Sequence, residues 1–346
     1  MRASFINARI AELVVHIVGN KIADEGVVLS KSCLTLSDDL SNLLTNFFLG
    51  SFMSDEYHHL YHDTNLNLNE VFSYVSEIFD SPNTFYLQSI NLAKHLYNES
   101  VYPNIKEGEF YVALLKGATF EGDEVDVIGI FKTEKKNIFL KTFVDEDSVN
   151  IKKDEGTDTK KLDKGCLIFN KERHKGYVVA IVDNTNNGSL AKYWIDDFLH
   201  VRKIKDTYTN TENMMSLAKT FITKNLSQSA IISKSEQIDL LNKSLQYFKK
   251  NELFKIHDFE HEVIARPEIV ERFRGFKGEY ESSKDISIDE EFPLSHSAIK
   301  KQQRSYKRAI NLDKKIQIVI NGNSDRIEKG KDAKGKFYKI YYNEEE

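Results

Sequence analysis

The stretch KEGEFYVALLKGATFEGDEVDVIGIFKTEKKNIFLKTF at residues 106–143 decides the fold. Residues 109–115 are rich in aromatic and branched side chains, 126–132 alternate branched residues with glycine, and 137–143 alternate apolar with polar positions. Each pattern is typical of a strand. Successive strands with short connections usually pair antiparallel, so we expect a three-stranded meander.

Working outward from this stretch, the sequence predicts further strands at 165–170 and 176–183, joined by the turn KERHKG. Residues 145–163 are highly charged, and we expect an exposed loop there. Ser37 followed by two aspartates predicts a helix start. The other predicted elements are a strand or short helix at 9–18, a strand at 27–36, helices at 69–79, 85–100, 190–199, 214–226 and 235–253, two short helices within 256–281, and strands at 316–320 and 337–342.

These elements predict an α+β protein: an antiparallel sheet with flanking helices, then a helical C-terminal half that ends in a basic β-hairpin. A shift in composition near residue 205 indicates two domains, 1–205 and 206–346. No apolar run reaches the ~18 residues that a membrane helix needs, and we find no secretory signal, so we expect a cytoplasmic protein.

The charge of the chain is unevenly distributed. Residues 300–339 contain thirteen basic and four acidic residues, a net charge of +9, whereas the whole chain carries −5 and the remainder therefore −14. Such a segment predicts a polyanionic partner. The candidate DNA-binding residues are Lys300, Lys301, Arg304, Lys307, Arg308, Arg326, Lys329, Lys331, Lys334 and Lys336.

Two arrangements of these cations are expected. The spacing from Lys300 to Arg308 suits one charged helix face, and 326–336 would form a basic loop between two strands that contacts phosphates. Lysine-rich composition favours contacts to the DNA backbone over contacts to base edges. The alternative is that these lysines keep an edge hairpin soluble.

Catalytic and metal sites are weakly supported. Asp126 followed by Glu134 and Lys136 has the residue types of a Mg²⁺-dependent nuclease, but Glu134 falls in an expected turn. His58 and His62 have the i, i+4 spacing of a helical zinc pair, yet no third ligand is evident, so surface histidines are expected. Nucleotide-binding glycine motifs are missing. We therefore predict no catalytic residues, no metal and no cofactor.

Several blocks together resemble the NdpA-like nucleoid-associated proteins of bacteria, and they span most of the chain. The blocks are HIVGNK at 16–21, SINLAKHLYNES at 89–100, NIKEGEFYVALL at 104–115, VIGIFKTEKKNIFLK at 127–141, GCLIFN at 165–170, AKYWIDDFL at 191–199 and SDRIEKGKDAKGKFYKIYY at 324–342. The resemblance implies association with the nucleoid, DNA binding and, for some members, contact with type II topoisomerase subunits.

Together these observations predict a non-enzymatic protein that binds double-stranded DNA largely without sequence preference, as a homodimer. The dimer is expected only because two-fold oligomers are common. One alternative is an adaptor whose acidic body binds a DNA-processing protein such as a type II topoisomerase subunit. The other is the Mg²⁺-dependent nuclease. The preference for DNA over RNA is left open.

Overall fold

The computed structural model describes residues 3–145, 148–185, 191–226, 232–306, 309–312, 315–319 and 327–344. The chain divides into two compact units, 1–204 and 205–346. Helices and antiparallel strands occur in both, which confirms the α+β class. Within the described ranges, no helix is both long and apolar enough to cross a membrane.

A nine-stranded antiparallel sheet, counted over the described residues, organises the first unit. The strands of this unit are β1 (Ala3–Ser4), β2 (Arg9–Val18), β3 (Val27–Val28), β4 (Tyr57–Leu60), β5 (Gly108–Phe120), β6 (Asp123–Thr133), β7 (Asn137–Asp145), β8 (Ser148–Gly156), β9 (Lys164–Phe169), β10 (Val178–Asp183) and β11 (Val201–Lys203). The order in the sheet is β11-β4-β10-β9-β6-β5-β2-β3, and β1 pairs with β5.

The stretch at 106–143 forms only part of the expected meander. β5 and β6 pair antiparallel as predicted, but β7 leaves the sheet and pairs with β8, and β9 lies beside β6 instead. The reason is burial, since β6 is apolar on both faces from Val127 to Phe131 and needs a neighbour that can also be buried on both. β9 is buried at all six positions, whereas β7 is exposed at all nine.

The expected loop at 145–163 is also wrong, because Ser148–Gly156 forms strand β8. Val149 and Ile151 occupy alternating positions there, and they supply a strand pattern that the surrounding charges obscure. The strand expected at 27–36 is shorter than predicted and covers only β3. Residues 9–18 form a strand and not a helix.

Helices cover both faces of the main sheet. They are α1 (Asp38–Leu49), α2 (Glu70–Asp80) and α3 (Phe85–Glu99), with a π-helical segment at Tyr193–Leu199 and 3₁₀ turns at Leu66–Leu68, Pro82–Thr84 and Arg173–Lys175. Ser37 caps α1 by accepting a hydrogen bond from the backbone N–H of Leu40, as the sequence predicts, and Asn69 caps α2 in the same way.

The core of this unit therefore has two layers. On one face, α2, α3 and the π-helical segment pack on β-strand residues such as Ile128 and Ile168, and they bury Trp194 completely. On the other face, α1 places Phe48 against Phe131, with ring centroids 4.2 Å apart. Burial on both faces explains why the central strands read as near-continuous apolar runs.

The second unit is mainly helical. Its elements are α4 (Thr207–Thr220), α5 (Lys234–Lys250), α6 (Ile256–Phe259), α7 (Pro267–Lys284) and α8 (His296–Gln302), with π-helical segments at Phe221–Leu226 and Glu260–Ile264, a 3₁₀ turn at Gln303–Ser305, and strands β12 (Leu253–Lys255) and β13 (Glu291–Pro293). Aromatic side chains dominate its core, where Phe248, Phe254 and Phe259 contact one another.

Two hairpins end the described chain. They are β14 (Ala309–Leu312) with β15 (Ile316–Val319), and β16 (Ile327–Asp332) with β17 (Gly335–Ile340). A basic hairpin is thus present, but the two strands that were predicted to form it do not pair with each other. The strand at 316–319 does not pair with the one at 335–340, because residues 327–332, expected in the basic loop, form that partner strand.

Candidate nucleic-acid interface

The basic hairpin, β16 with β17, carries its charge near the turn. Lys331 and Lys336 are directly opposite each other in the antiparallel register, and both are exposed. Lys334 lies between them in the turn and is also exposed. Three ammonium groups are therefore carried by six consecutive residues at the end of a two-stranded ribbon.

The carboxylate of Asp332, next to Lys331 in the chain, is hydrogen-bonded within the turn. Oδ1 of Asp332 accepts hydrogen bonds from the backbone N–H groups of Lys334, at 2.8 Å, and Gly335, at 3.1 Å. Gly335 has a φ of 133°, which favours glycine. The carboxylate thus closes the turn, and its negative charge offsets the three lysines only in part.

Two side chains of like charge that lie directly opposite each other on paired antiparallel strands destabilise the pairing. The Lys331–Lys336 pair is therefore unfavourable for the isolated hairpin, and an anion placed between the two ammonium groups would relieve the repulsion. A phosphate group is such an anion, and it accepts hydrogen bonds from ammonium groups.

The opposite end of the hairpin is attached to the second unit. Ile327 and Tyr338 pack with Ile238 of α5, which is 1% exposed. On the other face of the ribbon, Gly330 makes room for the ring of Phe337, since a Cβ added at Gly330 would lie 2.3 Å from Cζ of that ring. The hairpin is thus anchored at its base while its charged end is in solvent.

The candidate cations on α8 do not form one extended helix face. The helix ends at Gln302, a 3₁₀ turn follows, and Tyr306 has left the helical region. Lys300 and Arg304 are exposed, whereas Nζ of Lys301 is 3.2 Å from Oε1 of Glu212 and is therefore already paired. The expected helical face from 300 to 308 is wrong, because the helix stops first.

Four candidate residues are less fully described. Lys307, Arg308 and Arg326 lie outside the described residues. The backbone of Lys329 is described and is paired with Tyr338 in the ladder.

The residues of the nuclease alternative are not brought together. Asp126 and Glu134 lie eight residues apart along β6 and its end, which corresponds to ~26 Å in a strand and is too far for one Mg²⁺. Asp126 pairs with Lys116, and Lys136 pairs with Glu109. The nuclease-like pattern is a coincidence of order along the chain, because Asp126 belongs to strand β6 whereas Glu134 and Lys136 belong to the turn after it.

Glu134 belongs instead to a buried network of charges. Its carboxylate lies 3.1 Å from Nζ of Lys132 and 3.5 Å from Nζ of Lys164, and it accepts a hydrogen bond of 2.8 Å from the hydroxyl of Tyr193. Lys164 also lies 3.8 Å from Asp183. The lysine side chains are 0% and 3% exposed. Burial alone would raise the pKa of Glu134, but the two lysines and Tyr193 hold that pKa below its usual value.

A cavity of about 380 Å³ borders this network, and Glu134, Lys164 and Tyr193 line part of it. The charges of Lys132 and Lys164 are opposed by the carboxylates of Glu134 and Asp183. The network therefore pairs its own charges, and removing one member would leave an uncompensated charge in the interior.

His58 and His62 do not form the helical pair that their spacing suggests. His58 lies in β4, so the helical spacing to His62 does not apply, and its burial to 4% corrects the expectation of a surface residue. Nε2 of the neighbouring His59 is 2.9 Å from Oε2 of Glu172. Over the residues described, no three His, Cys, Asp or Glu side chains are grouped as metal ligands would be.

With this geometry in place, the comparison with known families is informative. The sequence model of the family described as nucleoid-associated protein YejK matches residues 14–336. The chain belongs to this family. The match confirms the resemblance to bacterial nucleoid-associated proteins, and it extends from the first unit into the basic hairpin, where it ends at Lys336. No curated protein sequence matches the chain.

Membership in the nucleoid-associated protein YejK family agrees with a polyanionic partner for the basic hairpin. Sequence reasoning missed two other features of this family member: the buried Lys132–Glu134–Lys164 network and the exposed strand pair β7–β8. The available signal for the first was the position of Lys132 directly after the apolar run Val127–Phe131 in β6. For the second, it was the alternation of Val149 and Ile151.

Proposed function

We propose that this chain binds double-stranded DNA through its basic C-terminal segment, largely without reading base sequence and without enzymatic activity, as a cytoplasmic component of the nucleoid. The observation that supports this most directly is the exposed Lys331–Lys336 pair beside Lys334. Membership in a nucleoid-associated family supplies the class of partner.

The physical basis is the release of counterions. DNA condenses counterions around its phosphates, and each lysine that contacts a phosphate releases them, which gives affinity that depends on salt and not on sequence. Lysine is a compact point charge, whereas bidentate recognition of guanine is typical of arginine. Among the exposed cations of the basic hairpin, lysine is the residue used.

The remaining candidates extend the same surface in our proposal. Lys300 and Arg304 are exposed and available for phosphates, and Lys301 would have to exchange its contact with Glu212. Lys307, Arg308, Arg326 and Lys329 are included on their charge alone.

The test is a salt series of DNA binding. Replacing Lys329, Lys331, Lys334 and Lys336 with glutamine should weaken binding similarly for duplexes of different sequence. It should also flatten the slope of log affinity against log salt by about 3 to 4, since each phosphate contact contributes about 0.9. A matched control replaces four exposed lysines of the first unit, Lys31, Lys94, Lys160 and Lys161, and should leave the slope unchanged.

An unchanged slope in the hairpin variant would reject this placement of the site. Equal losses in the two variants would show that only total charge matters. Incubation of the wild-type protein with plasmid and Mg²⁺ should leave the plasmid intact, and cleavage that requires Mg²⁺ would support the nuclease alternative.

A second candidate function is that of an adaptor, and the charge distribution favours it. Outside residues 300–339 the chain carries −14, which repels DNA and attracts basic protein surfaces. We propose that this acidic part binds a DNA-processing protein such as a type II topoisomerase subunit, with the chain acting as a homodimer. Recovery of that subunit in a pull-down after nuclease treatment would support the adaptor, and loss of the subunit after that treatment would reject it.

A further inference from the structure

The strand pair β7–β8, here called the aliphatic hairpin, is separate from the main sheet. Its nine residue pairs run from Asn137↔Gly156 to Asp145↔Ser148, and its strands form a sheet of only two strands. Every position of β7 is exposed. An isolated two-stranded hairpin is marginally stable in water unless something packs on it.

One face of this hairpin is mainly aliphatic, with five aliphatic residues among its eight. Side chains alternate between the faces of a strand, and the register places the even-numbered residues of β7 with the odd-numbered residues of β8 on the same face. The exposed aliphatic members of that face are Ile138 at 65%, Leu140 at 72%, Val144 at 75%, Val149 at 74% and Ile151 at 64%.

The opposite face has a different character. It carries Lys141, Asn150 and Lys152, and the ring of Phe139 lies over Gly156, where an added Cβ would be 3.1 Å from Cε1 of the ring. This face also exposes two aromatic rings, Phe139 at 48% and Phe143 at 40%, interspersed with its polar side chains. The aliphatic face carries the longer row, with five large aliphatic side chains that are each at least 64% exposed, and such a row marks an interaction site.

We propose that this aliphatic face binds the same face of a second copy of this chain. The inference rests on the homodimer proposed above and names its surface. Val, Leu and Ile each bury about 60–120 Å² when they lose contact with water, so five side chains that are 64–75% exposed supply about 200–450 Å² per copy. Two copies therefore supply about 400–900 Å² from these side chains, to which Thr142 and the intervening main chain add, and this is the size of a weak, concentration-dependent dimer interface.

The charge of the hairpin favours a second copy of the chain, and not DNA or a membrane, as the partner of this face. Residues 137–156 contain three lysines and five acidic residues, a net charge of −2, which repels phosphates and anionic lipids. At the base of the aliphatic face, Nζ of Lys153 is 3.0 Å from Oε1 of Glu155. A face that is apolar and carries one cation and one anion is compatible with its own copy, as a two-fold interface requires.

The test is the oligomeric state of the full chain without DNA, measured by sedimentation velocity over a wide concentration range. Wild type should dimerise. Leu140→Lys with Ile151→Lys should raise the dissociation constant at least 100-fold. A matched control, Ser148→Lys with Asn150→Lys, adds the same charge to exposed positions on the opposite face and should dimerise like wild type.

Wild-type protein that stays monomeric, or a Leu140→Lys/Ile151→Lys variant that still dimerises, would overturn the proposal. Dissociation of the control as well would overturn it, since the contact would then not depend on the aliphatic face. If the lysine variant does not fold, Leu140→Ala with Ile151→Ala must weaken the dimer without changing the circular dichroism spectrum, and an unchanged dimer would again overturn it. Because no DNA is present, failure here is distinguishable from failure of DNA binding.

Discussion

The substitution Glu134→Gln tests the buried network most sharply, because it keeps the shape of the side chain and removes one charge. Lys132, with a side chain that is 0% exposed, would keep the backbone oxygen of Lys106 at 3.0 Å and the ring of Tyr193, whose centroid is 5.8 Å from Nζ. Lys164 would keep Asp183 at 3.8 Å and the hydroxyl of Thr185. Removing one partner of a buried ion pair costs about 3–5 kcal/mol, so we expect the free energy of unfolding at pH 7 to fall by that amount.

The pH dependence of this loss has a definite sign. Burial lowers the pKa of Lys132 below its ordinary value of 10.5, although Glu134 opposes the shift. Between the folded-state pKa and 10.5 the unfolded chain binds more protons than the folded one, so the contribution of this site to stability rises with pH. A neutral Lys132 gains nothing from the charge of the Glu134 carboxylate. The difference in the free energy of unfolding between wild type and Glu134→Gln should therefore shrink as pH rises from 7 towards 10.

The assay is urea unfolding of the full chain followed by tryptophan fluorescence. The single tryptophan, Trp194, is fully buried in the first unit and reports on it alone. The matched control is Glu172→Gln, whose side chain is 36% exposed and contacts His59 and Lys175, and it should cost at most about 1 kcal/mol. Equal stability of Glu134→Gln and wild type at pH 7, or a deficit that grows with pH, would refute the reasoning.

Three further predictions concern the hairpin, a buried histidine and the division of the chain. Gly330→Ala should displace the ring of Phe337, because its Cβ would lie 2.3 Å from Cζ of that ring, and since the ring is 42% exposed and can rotate away, the basic hairpin should stay folded with only slightly faster hydrogen exchange. The control Gly278→Ala enters open space on a helix and should stabilise it by about 0.5–1 kcal/mol, as measured by urea unfolding. Burial lowers the pKa of His16 to about 4, so stability should fall by up to about 3 kcal/mol as pH drops from 6.5 to 4, and the acid-unfolding curve of His16→Gln should be shallower. Chains cut at residue 205 should fold separately, each with a cooperative melting transition.

Local patterns made part of the fold predictable. The β5–β6 hairpin depends on neighbouring residues, and the caps at Ser37 and Asn69 are formed by side chains that bond within the next few residues. The neighbour of β6 was not predictable in this way, because the choice between β7 and β9 is decided by burial on both faces of the completed sheet.

The candidate site shows the same limit. The charge of the basic segment was visible in the sequence, but the direct opposition of Lys331 and Lys336 depends on a register that places residues 327–332 in a strand. Lys132, Glu134 and Lys164 become one network only when β9 pairs with β6, so Glu134 in isolation resembled a turn residue or a metal ligand.

The central claim is that the basic hairpin is a cationic surface for DNA phosphates. The most direct measurement is the salt dependence of duplex affinity for wild type and for the glutamine variant at Lys329, Lys331, Lys334 and Lys336. The account predicts a slope that becomes shallower by about 3 to 4, to the same extent for unrelated sequences. A slope that is the same in both proteins would contradict it.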